Sequence, residues 1–136
     1  MRRNGRVSRV YLKRVREEKV PVADIFISYA REDKAYARAL ADVLEGYGWT
    51  VWWDPKIPVG KEFPEVIEQA LQEARSVLVI WSSRSVAKRW VVTEAAEGLQ
   101  RNVLIPVLIE ETKIPFEFRR IQAASLIGWQ PGTRRL

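Results

Sequence analysis

Residues 81–97 read WSSRSVAKRWVVTEAAE and contain the end of an apolar strand, a short polar loop and the start of a helix. Trp90 and Glu94 are four residues apart in the helical part, so their side chains lie on the same face of that helix. Glu97 follows on this face as a second carboxylate. The pattern predicts a strand–loop–helix unit that presents a carboxylate beside the loop, with Glu94 as the candidate catalytic residue and Glu97 as the alternative.

The composition around this stretch is that of one globular domain. The chain has 136 residues, of which 47% are hydrophobic and 29% are charged, and this length is sufficient to bury a core. No apolar run approaches the roughly 18 residues that a membrane helix needs, and no signal segment follows the basic N-terminus. We therefore expect a cytoplasmic protein without a membrane span.

The chain contains no cysteine and no histidine. This excludes disulfides, Cys nucleophiles, His general bases, Cys/His zinc sites and serine triads that use His. The glycine-rich patterns that cradle phosphates, G-x-G-x-x-G and G-x-x-x-x-G-K-[ST], are also absent. Chemistry must therefore come from carboxylates, hydroxyls, Lys, Arg and the backbone, and no metal or cofactor is expected.

Residues 1–20 carry the net charge. They contain eight basic and two acidic residues, which accounts for the whole formal charge of +6. Val7, Val10, Tyr11 and Val15 recur at helical spacing, which is compatible with a short basic amphipathic helix. This extension either is solvated or docks on its own domain, or it contacts a partner, an anionic membrane or a nucleic acid. The domain itself is neutral, so nucleic-acid binding is not expected of it.

Apolar runs alternate with amphipathic segments from residue 21 onwards. The helical segments follow the first, second and third strands, and Asp33 is predicted to cap the first helix. Such alternation predicts an α/β domain, a flavodoxin-like doubly wound five-stranded parallel sheet in the order 2-1-3-4-5. The strands are predicted near residues 24–28, 49–53, 76–81, 104–109 and 125–129.

In this strand order, ligands bind beyond the carboxyl ends of the first and third strands, where the winding of the sheet reverses. Residues 28–31 follow the first strand, and Ser82 and Ser83 follow the third. The helix that carries Glu94 leaves the same crevice. The strand order and the helix pattern thus indicate one site.

Three segments in order resemble Toll/interleukin-1 receptor (TIR) domains. Residues 24–29 read DIFISY, like the opening box of the family, and residues 48–60 contain GWTVWWD and IPVG, like its second strand and long loop. Residues 82–94 are similar to the segment that holds the glutamate of TIR enzymes that cleave NAD. The resemblance covers roughly residues 23–129, and the paired tryptophans are typical of a prokaryotic or plant-like member.

The resemblance implies an NAD⁺ glycohydrolase that breaks the nicotinamide–ribose bond, giving nicotinamide and ADP-ribose or a cyclic variant. It implies NAD⁺ as substrate, no cofactor, and activation by self-association with other TIR domains in immune or defence signalling. Glu94 would stabilise the oxocarbenium-like transition state, and only Arg31 would represent the basic pair that often follows the Tyr of the first box. The implied substrate-binding residues are Tyr29, Ala30, Arg31, Trp53, Asp54, Gly60, Phe63, Ser82 and Trp90.

A non-catalytic TIR scaffold is the alternative function. Such a protein would bind other TIR domains through the long loop at residues 54–62 and through exposed helices, and it would not need Glu94 or Trp90. The family fold usually closes with one more helix, but residues 130–136 are too polar to form an amphipathic one. We therefore expect a TIR domain at residues 21–136 that lacks the final helix and is part of a longer protein.

Overall fold

A computed structural model describes residues 22–53 and 65–130. The N-terminal extension, residues 54–64 and residues 131–136 lie outside the described residues. The predictions for the extension, for the long loop and for the end of the chain therefore have no structural counterpart here, and the same holds for Asp54, Gly60 and Phe63.

A five-stranded parallel sheet forms the centre of the domain. Its strand order is β2-β1-β3-β4-β5, and every pair of neighbours is parallel. This confirms the predicted α/β class and the order 2-1-3-4-5. The strands are β1 Ile25–Ser28, β2 Val51–Trp52, β3 Ser76–Trp81, β4 Leu104–Leu108 and β5 Ala124–Ser125.

Three helices follow the first three strands, as predicted. Asp33 lies at the start of α1, but its side chain makes no capping hydrogen bond, so this detail of the prediction is wrong. Among the described residues, no helix has the combination of length and apolar character that crossing a bilayer requires. Over residues 22–53 and 65–130, the helices are α1 Lys34–Gly46, α2 Glu65–Glu73 and α3 Arg89–Gln100, and 3-10 turns occupy Arg31–Asp33, Ser85–Ala87 and Phe116–Phe118.

The sheet has two covered faces, because successive side chains of a strand point to opposite sides. On one side, the α1 face, Ile25 and Ile27 of β1 pack with α1. On the other, the α2/α3 face, Phe26 packs with α2, and Val79 and Trp81 pack with α3. Adjacent tryptophans obey the same rule, since Trp52 joins the α2/α3 face and Trp53 the α1 face.

The last strand is shorter than predicted. The apolar pattern indicates a strand at residues 125–129, but pairing with β4 ends at Ser125. Gly128 has φ +91°, and the N–H of Trp129 donates to the carbonyl of Leu126, so the chain turns here. The Tyr36 hydroxyl then donates to the Trp129 carbonyl at 2.5 Å and holds this segment against α1.

Candidate active site

Ser28 and Glu94 meet at the carboxyl end of β1. Ser28 is the last residue of β1 and lies two residues after Phe26, so its side chain points to the α2/α3 face. Glu94 lies in the middle of α3, which packs on that face. The Ser28 Oγ donates a hydrogen bond to Glu94 Oε1 at 2.5 Å. Residues that are 66 positions apart thus form a direct contact at the predicted crevice.

Glu94 is a carboxylate in an almost dry environment. It is 6% exposed, and burial raises the pKa of its carboxyl to about 7, although the hydrogen bond from Ser28 acts in the opposite direction. Within residues 22–53 and 65–130, no basic side chain forms an ion pair with it. This carboxyl therefore changes charge near neutral pH, and its hydrogen-bond partner among the described residues is the hydroxyl of Ser28.

Trp90 lies one turn before Glu94, on the solvent side of the site. It is 42% exposed, so it is not a buried core residue. The Lys88 Nζ lies 5.5 Å from the centroid of its ring and 3.4 Å from Glu32 Oε2. An aromatic surface and a cation held by a carboxylate thus stand at the start of α3.

An ionic cluster centred on the buried carboxylate of Asp33 holds the loop before α3. Asp33 Oδ2 accepts a hydrogen bond from Ser82 Oγ at 2.6 Å, and Asp33 Oδ1 lies 2.7 Å from an Arg84 guanidinium nitrogen. The same guanidinium lies 3.0 Å from Glu110 Oε1. The segments after β1, β3 and β4 are therefore tied together at one edge of the sheet.

Three predicted binding residues, Tyr29, Ala30 and Ser82, lie directly after β1 and β3. Ala30 and Ser82 are fully buried, and Ser82 is engaged with Asp33. Tyr29 packs on the α1 face, the side opposite Glu94. Their roles in substrate binding stay predictions.

Two further predicted binding residues, Arg31 and Trp53, follow β1 and β2. Trp53 accompanies Tyr29 on the α1 face, with ring centroids 6.5 Å apart, and Arg31 is exposed at the turn after β1. Asp54, Gly60 and Phe63 lie outside the described residues. Of the predicted set, the structure brings Glu94 and Trp90 onto one helix, and it groups Tyr29 with Trp53.

The contacts of Ser28, Asp33, Arg84 and Glu110 were not predicted. Ser28 lies within the segment that the strand order assigns to the crevice, but nothing local to it indicates Glu94 as a partner. Polar residues directly after β1, β3 and β4 were the available signal, because the carboxyl ends of parallel strands share one edge.

Comparison with known families agrees with this architecture. The family model described as TIR domain matches residues 25–136. The "2' cyclic ADP-D-ribose synthase AbTIR" of Acinetobacter baumannii (strain 1295743) is 31% identical over 103 residues, covering 71% of this chain and 38% of its own length. The "NAD(+) hydrolase PdTIR" of Paracoccus denitrificans (strain Pd 1222) is 38% identical over 94 residues, covering 64% and 31%. The chain thus matches less than half of either relative.

Solved structures show the same fold. The TIR domain of the Toll-related receptor TRR-2 from Hydra magnipapillata superposes with a TM-score of 0.69 at 21% identity, covering 77% of this chain and 85% of that one. A metazoan TIR-STING receptor from C. gigas, solved in complex with 2',3'-cGAMP, gives a TM-score of 0.67 at 26% identity, covering 79% and 36%.

Proposed function

Because the chain belongs to the TIR domain family, we propose that it is an NAD⁺ glycohydrolase that cleaves the bond between nicotinamide and ribose. Two bacterial relatives at 31% and 38% identity are named as enzymes of ADP-ribose and NAD⁺ chemistry. The observation that carries the proposal is Glu94, a buried carboxylate at the edge of the sheet where ligands bind in this fold.

The environment of Glu94 suits a reaction that develops positive charge. Nicotinamide in NAD⁺ is a cationic pyridinium that leaves as a neutral molecule, so no general acid is needed. The ribose left behind resembles an oxocarbenium ion, which a fixed carboxylate stabilises most strongly in a dry site. Water, or a hydroxyl of the same molecule, then bonds to the carbon that nicotinamide left and releases its proton to solvent, which gives ADP-ribose or a cyclic variant. Because Glu94 has no cationic partner among the described residues, a cationic ligand would favour its ionised form.

Trp90 supplies the second part of the proposed site. Its exposed ring lies one turn from Glu94, which suits stacking against a flat heterocycle. Lys88, close to this ring, provides positive charge where the phosphates of a dinucleotide could bind. We further propose that the domain acts in the cytoplasm, that it associates with other TIR domains, and that association raises its activity in defence signalling.

The direct test compares wild type, Glu94→Gln and Glu97→Gln in an NAD⁺ cleavage assay at high protein concentration with a crowding agent. Gln keeps the size of the side chain and removes its charge. We expect Glu94→Gln to lower kcat by about 10²–10⁴-fold, with the fold retained. Glu97→Gln removes the neighbouring carboxylate on the same helix and should keep most of the activity.

Two results would contradict the proposal. If Glu94→Gln cleaves NAD⁺ at the wild-type rate, the carboxylate has no catalytic role, and loss of activity in Glu97→Gln would identify the alternative residue. If wild type cleaves no NAD⁺ at any concentration but binds other TIR domains, the protein is a scaffold. Chromatography of the products separates ADP-ribose from a cyclic variant.

A further inference from the structure

We propose that Ser28 is a positioning residue for Glu94: its hydroxyl holds Oε1, so that Oε2 is the oxygen presented to the substrate. The inference rests on the proposed function, because it assigns the two oxygens of the proposed catalytic carboxylate to different tasks. The hydrogen bond described for Glu94 involves Oε1 alone, at 2.5 Å from Ser28 Oγ.

The two oxygens of Glu94 have different surroundings. Among the described residues, three side-chain nitrogen or oxygen atoms are sealed, which means fully buried, and lack a hydrogen-bond partner. They are the indole nitrogens of Trp52, Trp81 and Trp129. Oε2 has no partner there and is not one of these sealed atoms. The small exposed fraction of Glu94 therefore includes Oε2, the oxygen that an incoming ligand can reach.

Both partners stand on rigid elements. Ser28 is 1% exposed, and its backbone is paired with Val79 in the neighbouring strand. Glu94 lies on α3, which packs against β3 through Val91 and Ala95. The sheet fixes the Ser28 hydroxyl, and α3 fixes the backbone of Glu94. The hydrogen bond between them therefore limits rotation of the Glu94 carboxylate, as a functional site with defined geometry requires.

The hydroxyl suits both charge states of Glu94. It donates to the ionised carboxylate and can accept from the protonated acid, because a serine oxygen does both. Hydrogen bonds to charged groups are stronger than those to neutral groups, so Ser28 favours the ionised form. Without this donor, the dry surroundings would hold the proton on Glu94 to a higher pH.

In the part of the chain that the structure describes, other ionisable groups do not fill this role. The elements packed against α3 include β1, β3, β4 and the turn Ser85–Ala87, none of which contains an ionisable residue. On α3 itself, Arg89 is exposed and Glu97 is half-buried. Helix α2 and the turn Phe116–Phe118 carry only exposed carboxylates, on Glu65, Glu68, Glu73 and Glu117.

The test compares wild type with Ser28→Ala, which removes the donor, and Ser28→Thr, which keeps it. Two quantities are measured, the pH profile of kcat/KM for NAD⁺ and the ¹³C NMR titration of the Glu94 carboxyl, assigned with Glu94→Gln. Loss of a hydrogen bond to a charged group should move both midpoints of Ser28→Ala upward by about one to two pH units. Its activity at pH 7 should fall about five- to fiftyfold and recover in alkaline buffer, while Ser28→Thr stays close to wild type.

Ser85→Ala is the matched control. Ser85 is a fully buried serine whose hydroxyl donates to the Ile80 carbonyl at 2.7 Å, so its loss weakens the fold without touching Glu94. It should leave the Glu94 midpoint unchanged. If Ser28→Ala does not fold, Ser28→Cys, which has a weaker donor, should give a smaller upward shift.

The two measurements separate this inference from the proposed function. If wild type does not cleave NAD⁺, the proposed function fails, and the NMR titration still decides whether Ser28 governs the carboxyl. Unchanged NMR midpoints in Ser28→Ala, or equal shifts in Ser28→Ala and Ser85→Ala, would overturn the inference.

Discussion

The burial of Glu94 lowers the stability of the folded protein. A carboxylate moved out of water loses hydration that one hydroxyl only partly replaces, and the pKa of about 7 expresses this cost. The folded state holds a proton on Glu94 that the unfolded chain, with the ordinary value of 4.5, releases. The free energy of unfolding therefore falls as pH rises from about 4.5 to about 7, because over this range the unfolded chain binds fewer protons.

Glu94→Gln should accordingly stabilise the protein in a pH-dependent way. A difference of about 2.5 pKa units corresponds to on the order of 3 kcal/mol, so the gain at pH 8 should approach this value. At pH 4.5 the wild-type carboxyl is protonated in the folded state, and the gain should nearly vanish. Urea denaturation at the two pH values measures it, with Glu97→Gln correcting for the general loss of one negative charge. An equal gain at both pH values would contradict the assigned burial cost.

The ionic cluster around Asp33 offers a second test at single residues. Arg84→Met keeps much of the aliphatic stem but leaves the carboxylate of Asp33, whose side chain is 3% exposed, without its cation. We expect a loss of about 3 kcal/mol in the free energy of unfolding. Lys88→Met is the matched control, because its pair with Glu32 lies nearer the solvent; its effect on stability should be much smaller. Equal effects of the two changes would show that burial does not set the strength of the cluster.

Asp33 also shows where prediction from sequence stops for single residues. Its position before a helix predicted a cap, and the helix does begin there. Its side chain instead binds Ser82 and Arg84, which are about fifty positions away in sequence. Glu94 was chosen as a candidate from the resemblance to TIR enzymes together with its spacing from Trp90, and its catalytic role stays a prediction. Its contact with Ser28 could not be predicted, because the two residues meet only when β1 and α3 pack.

Among the elements, α3 approaches the sheet unusually closely at one position. A Cβ on Gly98 would lie 2.8 Å from the Cβ of Val77, a fully buried residue of β3. Gly98 is one turn after Glu94, so this contact sets the depth of the helix and thereby the height of the carboxylate above the strands. The glycine is needed here for close approach, at the expense of helix propensity.

Gly98→Ala should therefore lower stability. Overpacking typically costs about 1–3 kcal/mol, and the higher helix propensity of Ala offsets up to about 1 kcal/mol of this. Thermal unfolding should show a lower Tm. Gly46→Ala is the control, because a Cβ at this last residue of α1 meets nothing within 4 Å, and it should be neutral or slightly stabilising. A higher Tm for Gly98→Ala would mean that the helix can move away from the sheet without cost.

The strands differ in how well the sequence predicted them. The bounds of β3 agree with the prediction of 76–81 because its apolar run is buried along almost its full length. Strands β2 and β5 were predicted too long. Apolar residues of the turns at the sheet edges also pack on the sheet, although they are not part of a strand. Leu126 reaches the α1 face from a turn of this kind, and a pattern of hydrophobicity does not separate the two cases.

For the whole molecule, the strand order could be predicted because few arrangements satisfy right-handed crossovers with these element lengths. Association with other TIR domains stays a prediction, because it depends on surfaces rather than on the core. The loop at residues 54–62 contains two prolines, one glycine and several charged residues, and it remains predicted to mediate contacts between TIR domains.

Charge reversal at Lys56 or Lys61 tests this prediction. We expect Lys56→Glu and Lys61→Glu to weaken self-association. Each change replaces a positive charge by a negative one in a contact that depends on charge complementarity. Analytical ultracentrifugation measures the association, and the NAD⁺ assay at the same concentrations measures its consequence. Lys113→Glu, at an exposed position after β4, controls for the general change in charge. Unaltered association in both loop variants would exclude this loop as the contact.

The cost of burying Glu94 also bears on how such a protein changes over generations. Under the proposed function, a descendant no longer selected for cleaving NAD⁺ gains stability by replacing this one residue, so loss of the reaction raises folding stability and needs no compensating mutation. Regaining the reaction is uphill, since the restored carboxylate must be supported by a surplus of stability acquired beforehand. A chain that keeps this buried glutamate therefore does so against the direction in which folding stability alone would take it.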